Sequence, residues 1–301
     1  MSVAFLFPGQ GAQRAGFLHN LPAAEAVDRT LAEASAWLGY DAKELDSEES
    51  LGGTVGTQLA LLVAGVAFAR SMMAAGVRPH AMSGMSVGMF AAATAAEALT
   101  LPDALSLVRL RGELMQSAFP GGTHGMAVVE GLGRRAVELL LQDDITIANE
   151  NAPLQFVCAG EMSALDSFCV RALEAGAACA TRLRMAVPSH TPALASAAKV
   201  LRRAIEQIPM RPPARLLFGN RRARPIASVE ALVEELAENM AAPVMWRDVM
   251  SGLEAEGITL FLEAPPGHTL ANLARANLRD VQVMSADNAR WDSLVRAAQR
   301  T

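Results

Sequence analysis

Residues 83–88 read SGMSVG, with Gly84 and Gly88 each two positions from Ser86. A serine in a G-x-S-x-G arrangement can sit on a sharp strand-to-helix turn with its hydroxyl exposed for nucleophilic acyl chemistry. Small flanking residues let the backbone on either side pack closely. The same serine can instead be the N-cap of the small-residue helix that begins at MFAAATAAEA, a common use of serine. The motif alone leaves both readings open. A nucleophilic serine also needs a base, usually histidine. Of five histidines, His190 lies in a loop bracketed by Pro188 and Pro192 just after an expected strand, and His268 follows a Pro-Pro-Gly turn. His80 is near Ser86 in sequence, but the start of a strand lies about 20 Å from its end. No Asp or Glu stands out as a third member, so a backbone carbonyl is the expected partner of the base.

Two further pieces could complete such a site. At about 100° per residue, Leu101, Ala104, Leu105, Val108 and Met115 form one apolar stripe. Arg111 falls inside that stripe and Arg109 well outside it. A buried arginine needs an anionic partner. That partner is either a carboxylate of the protein or the carboxylate of a substrate, which the guanidinium fork matches bidentately. FPGQGAQ, residues 7–13, places glycines on both sides of Gln10. Its backbone N–H groups can face a phosphate or an oxyanion. It has neither the Gly-Lys-Ser/Thr of a Walker loop nor the G-x-G-x-x-G of a dinucleotide fingerprint.

The elements that must position these residues read as an α/β fold. VAFLF at 3–7 and TLFLEAPPG at 259–267 are apolar runs ended by turn residues, as expected of buried parallel strands with both faces covered. AMSGMS at 81–86 reads as a second short strand before a helix, and ARLLFGN at 214–220 as another. Segments 134–142, 162–176, 193–208, 231–240 and 242–257 read as helical. Residues 126–185 follow the order β-α-β-β-α-β, with strands at 126–131, 145–150, 155–160 and 180–185 and a turn at NENAPL, 149–154. That is the ferredoxin-like order. PGGTHG at 120–125 and VPSHTP at 187–192 bracket it as hinges. The expectation is a large α/β-hydrolase-like domain with a mostly parallel sheet, residues 1–123 and 190–301, into which a small ferredoxin-like subdomain, 124–189, is inserted. Sites in such folds lie at the carboxyl ends of strands, where FPGQG, SGMSVG and LEAPPGH all fall.

Composition narrows the class. Of 301 residues, 51% are apolar and 19% charged, enough for a sizeable core. The net charge of −5 without like-charge runs gives no footing for nucleic acid. Three cysteines, Cys158, Cys169 and Cys179, have no metal-ligand spacing and suit a reducing, cytoplasmic setting. The N-terminus lacks a basic region and cleavage site, so no signal peptide is expected. LALLVAGVAFA at 59–69 reads as a buried helix, too short to span a bilayer.

Taken in order, FLFPGQGAQ (5–13), SGMSVG (83–88), VRLRGELMQ (108–116), NENAPLQFVCAG (149–160), VPSHTP (187–192), APVMWRDVM (242–250) and LFLEAPPG (260–267) resemble the malonyl-CoA:acyl-carrier-protein transacylase family. The resemblance implies that Ser86 is the acylated nucleophile and His190 its base. It implies that the Asn239 carbonyl orients the histidine, that Arg111 grips the malonyl carboxylate, and that the N–H groups of Gln10 and Val87 form the oxyanion hole. No metal and no permanently bound cofactor are implied. The substrate is malonyl-CoA, and the acceptor thiol belongs to a carrier-bound phosphopantetheine or dephospho-CoA-type group. The chain departs from the family at two places: Met85 and Met89 stand where the fatty-acid enzymes carry His and Glu. This variant is similar to the epsilon (malonyltransferase) subunit of bacterial malonate decarboxylase. It implies that enzyme's carrier subunit as acceptor and its other subunits as partners, with a fatty-acid or polyketide carrier as the alternative. The competing readings are an α/β-hydrolase-type esterase and a non-catalytic carrier-binding subunit.

Overall fold

The computed structural model describes residues 2–142, 144–185 and 187–300. Met1, Asp143, Ala186 and Thr301, which fall within the expected domain ranges, lie outside the described residues. The elements are β1 (Ser2–Phe7), α1 (Glu25–Leu38), α2 (Glu48–Leu51), α3 (Thr54–Ala74), β2 (Ala81–Gly84), α4 (Gly88–Ala95) and α5 (Leu101–Ala118). Next come β3 (His124–Glu130), α6 (Arg134–Leu140), β4 (Ile145–Ala152), β5 (Gln155–Glu161), α7 (Met162–Glu174) and β6 (Cys179–Arg182). The chain continues with α8 (Ala195–Ile205), β7 (Leu216–Phe218), α9 (Val229–Glu238), α10 (Trp246–Ala255), β8 (Ile258–Glu263), α11 (Thr269–Asn277), β9 (Gln282–Ser285) and α12 (Trp291–Gln299).

Five strands pair in parallel in the order β7-β2-β1-β8-β9. Central β1 shows why its sequence is apolar from Val3 to Phe7. Val3, Phe5 and Phe7 enter the core on one face, and Ala4 and Leu6 enter the core on the other. The first face carries α1, α3, α4, α5, α8 and α9, and the second carries α10 and α11. Helix α3 is buried on nearly every side, as a helix that is apolar all round must be. It extends beyond the apolar run to 21 residues, long and apolar enough by length and composition to cross a bilayer, yet most of it lies inside the core.

The inserted segment forms a second, antiparallel sheet in the order β4-β5-β3-β6. With α6 and α7 this is the ferredoxin-like arrangement. One face, with Ala127, Val129, Phe156 and Cys158, packs on α6 and α7. The other face, with Met126, Val128, Val157 and Ala159, turns toward the large sheet's strand ends.

Two expectations are corrected here. The polar segment expected as a turn at 149–154 stays in β4 to Ala152, with two register shifts in its pairing to β5. The cause is tertiary: Val244 N–H donates to Ala148 O at 2.9 Å, and Glu150 N–H donates to Val244 O at 2.9 Å. The Glu150 carboxylate is also held by Arg134 and Arg247. The helix expected from 242 starts only at Trp246, because Val244 is extended and bridges to Asn149 of β4. This bridge ties the small sheet to the segment that leads into α10.

Candidate active site

Ser86 sits on a strained turn. It lies two residues past the end of β2 and has φ 55°, the left-handed region that non-glycine residues rarely adopt. Its N–H donates to Asn220 Oδ1 at 2.9 Å, so it is bonded to a side chain from another segment. Glycine is required on both sides. A Cβ on Gly84 would lie 2.1 Å from the Gly88 carbonyl group, and a Cβ on Gly88 would lie 2.2 Å from Phe7 O. The turn therefore packs against the end of β1. The N-cap position of α4 is Val87, and Ser86 Oγ accepts from Arg111 Nη2 instead of capping the helix.

Arg111 lies on the buried stripe of α5 and is 1% exposed. Helices α3 and α5 approach closely at Gly112, where a Cβ would be 2.9 Å from Val55 Cα. The guanidinium donates from Nη1 to Gln58 Oε1 at 2.8 Å and from Nη2 to Ser86 Oγ at 3.0 Å. Its Nε is buried without a hydrogen-bond partner. Among the described residues no carboxylate pairs with it, so the internal salt bridge weighed from the sequence is absent. Burial lowers its pKa to about 10, and it remains a cation at neutral pH.

His190 is also left-handed, with φ 64°. Its N–H donates to Met240 O at 2.8 Å, and its ring Nδ1 lies 2.7 Å from Asn239 O. A carbonyl can only accept, so Nδ1 carries the proton and Nε2 is left as the ring's acceptor. Burial, and then the nearby Arg111 charge, lower the His190 pKa to about 4. The imidazole is therefore neutral at pH 7.

These groups face one cleft of about 940 Å³ between the two sheets. Ser86, Val87, Arg111, His190 and Gln10 line one side, and Met126, Val128 and Val157 of the small sheet line the other. Gly9 brings the Gln10 loop against the elbow: a Cβ there would be 2.8 Å from Met85 O. Among the described residues the N–H groups of Gln10 and Val87 are bonded to no protein acceptor. The other histidines are elsewhere. His268 is exposed, His80 accepts from Val3 N–H, His19 meets Asp46, and His124 meets Thr123. Such a constellation can carry out acyl transfer: a hydroxyl, a neutral imidazole, two free N–H donors and an unpaired cation share one cleft.

Sequence reasoning passed over Gln58, Asn220 and Glu235. Gln58 is the one amide in the apolar run of α3 and is 1% exposed. Asn220 and Glu235 are buried polar residues whose partners come from distant segments. Met85 lines the cleft, and Met89 Sδ lies 3.4 Å from Gly84 N–H.

Residues 4–294 match the family model described as acyl transferase domain. Malonyl CoA-acyl carrier protein transacylase of Escherichia coli O157:H7 is 33% identical, over 98% of this chain and 98% of that protein. The crystal structure of FabD from Acinetobacter baumannii superposes with a TM-score of 0.93 at 33% identity, covering 99% and 98% of the two chains. A malonyl-transacylase solved in complex with its type II PKS acyl-carrier protein gives 0.93 at 34% identity, with both chains covered in full. The chain thus belongs to the acyl transferase domain family, and within it to the malonyl-CoA:acyl-carrier-protein transacylase family.

Proposed function

We propose that this chain transfers a malonyl group from malonyl-CoA, through a malonyl-serine ester, to the prosthetic-group thiol of an acyl carrier protein. The observation that carries this reading is Arg111, a buried cation with no carboxylate partner among the described residues, hydrogen-bonded to Ser86 Oγ. An acyl group bearing a carboxylate at its far end supplies the missing anion.

In the first half-reaction Ser86 Oγ attacks the thioester carbonyl and its proton passes to His190 Nε2. The N–H groups of Gln10 and Val87 hold the oxyanion, each donor contributing roughly 10²–10³ in rate. The C–S bond breaks, and the CoA thiolate takes the proton back from His190. The carrier thiol then repeats the sequence against the ester, giving up its proton to His190, and Ser86 is regenerated. Asn239 O keeps the imidazole in the required tautomer throughout. Free thiol acceptors suit a cytoplasmic setting, which is part of this reading.

The relatives bear the name of malonyl CoA-acyl carrier protein transacylases, which favours a fatty-acid or polyketide carrier as acceptor. The malonate decarboxylase carrier is the second reading. It rests on Met85 in the cleft wall and Met89 beneath the elbow.

Incubation with malonyl-CoA followed by intact-mass analysis tests the first half-reaction. A malonyl adduct is expected on the wild type and not on Ser86→Ala; an adduct persisting in that variant refutes the nucleophile. Offering the acylated enzyme a fatty-acid carrier, a polyketide carrier and a decarboxylase carrier in parallel tests the second. Transfer to the last alone would replace the first reading of the acceptor with the second.

A further inference from the structure

We propose that Asn220 is a positioning residue: its side chain holds the Ser86 elbow in the left-handed conformation and, through Asn239, sets that elbow relative to His190. The proposal rests on the roles given above to Ser86 and His190.

The topology brings Asn220 to the elbow. Strand β7 pairs with β2, so that Phe218 lies opposite Ser83, and Ser83 Oγ donates to Phe218 O at 2.9 Å. Two residues later, Asn220 stands level with the turn. Its Oδ1 accepts from Ser86 N–H at 2.9 Å, and its Nδ2 donates to Gly84 O at 2.9 Å. One amide thus grips the chain on both sides of Met85. A left-handed serine persists only where its surroundings over-determine it, and these two bonds do so.

Asn220 itself is fully buried and fixed at every polar atom. Its N–H donates to Glu235 Oε1 at 2.6 Å, and its carbonyl accepts from Met245 N–H at 2.9 Å. Gly219 makes room for that carboxylate, because a Cβ there would be 2.8 Å from Glu235 Oε2. Asn239 Nδ2 donates to Asn220 Oδ1 at 3.3 Å and to Glu235 Oε1 at 3.1 Å. Both neighbours are acceptors, so the amide of Asn239 has only one workable orientation. The carbonyl of the same Asn239 receives His190 Nδ1. A continuous buried path therefore runs from the serine N–H to the imidazole. Asn220 is absent from the lining of the cleft, so its loss is expected to act on acylation more than on substrate affinity.

The test is Asn220→Ala, followed by single-turnover acylation with malonyl-CoA. The acylation constant is expected to fall about 100-fold, the scale of an ångström's misplacement, with malonyl-CoA affinity within about threefold of wild type. Unchanged acylation, or a loss carried by affinity, overturns the proposal. Should the alanine variant not fold, Asn220→Ser is read in the same way, since its short hydroxyl cannot span both bonds. Amide hydrogen exchange on the wild type needs no variant: Ser86 N–H should exchange slowly, and exchange at the rate of an open loop overturns the clamp. Sulfonylation of Ser86 by phenylmethylsulfonyl fluoride separates the two levels of inference. A wild type that is sulfonylated but takes up no malonyl group refutes malonyl transfer, whereas Asn220→Ala sulfonylated at the wild-type rate refutes the positioning role.

Discussion

Replacing Arg111 by methionine distinguishes a cation kept for a ligand from one kept for the fold. The side chain is 1% exposed and its pKa is lowered from 12.5 to about 10 by burial alone. At 1.36 kcal/mol per unit, that depression corresponds to about 3 kcal/mol against the charged form. Because pH 7 lies below both values, the whole of this penalty is present. Removing the cation relieves it but forfeits the hydrogen bonds to Gln58 and Ser86. It also leaves the Gln58 carbonyl unpaired, and together these losses amount to about 2–4 kcal/mol. The two sides offset, and Arg111→Met should remain within about 1 kcal/mol of wild type in urea unfolding. An arginine held by a buried carboxylate would instead cost about 3–5 kcal/mol on removal. Activity should respond very differently. Losing the charged contact to a malonyl carboxylate, about 3 kcal/mol, lowers kcat/KM for malonyl-CoA about 100-fold, while the much slower acetyl-CoA reaction changes less than about fivefold. A stability loss above about 3 kcal/mol, with both acyl substrates affected alike, would refute the reasoning.

The remaining predictions concern the base and the elbow. With the His190 pKa lowered to about 4 by burial and by Arg111, the free imidazole stays neutral down to that pH. The kcat/KM for malonyl-CoA should therefore fall as pH drops through about 4; a break at the ordinary value of about 6.5 would contradict this. The same depression means that the unfolded chain binds this proton first, so folding stability is full above the unfolded value and declines as pH falls toward the folded one. Gly88→Ala places a Cβ 2.2 Å from Phe7 O, a clash with backbone that should cost about 3 kcal/mol or more in urea unfolding. A change below about 1 kcal/mol would show that the elbow tolerates a side chain there.

Helical periodicity separated two arginines that are neighbours in sequence. Arg111 falls on the apolar stripe and is buried, while Arg109 leaves it and lies 4.1 Å over the Trp37 ring. Apolar runs ended by turn residues marked β1 and β8, because strands covered on both faces leave an unbroken signal. Strand β9 left none. It is an edge strand of four residues, QVMS, with only Ser285 buried. The polar stretch of β4 read as a turn because its pairing depends on Val244, nearly a hundred residues away in sequence. Asn220 was hidden for the same reason. It lies 134 residues from Ser86, and a buried amide that serves a distant backbone has no local period. Ser86, His190 and Arg111 were singled out by local signals: flanking glycines, bracketing prolines and helical period.

Three features at the centre of the site are unfavourable alone: a left-handed serine, a left-handed histidine, and a buried arginine without a counterion among the described residues. Glycine would suit the first two positions, and an aspartate near Arg111 would suit the third. The protein compensates the backbone cost internally through Asn220 and through the Met240 and Asn239 carbonyls. It leaves the charge uncompensated. On the proposed reading the malonyl carboxylate makes up that deficit, and its effect reaches beyond binding. Arg111 is one of the two causes that depress His190, so pairing it with an anion makes the imidazole a stronger base. The carboxylate also competes with Ser86 Oγ for the Nη2 donor, which frees the hydroxyl for attack. A substrate bearing the carboxylate thus completes the base and releases the nucleophile in one binding event. An acetyl group enters the same cleft with neither change made, and discrimination between the two appears in the rate of acylation as well as in affinity.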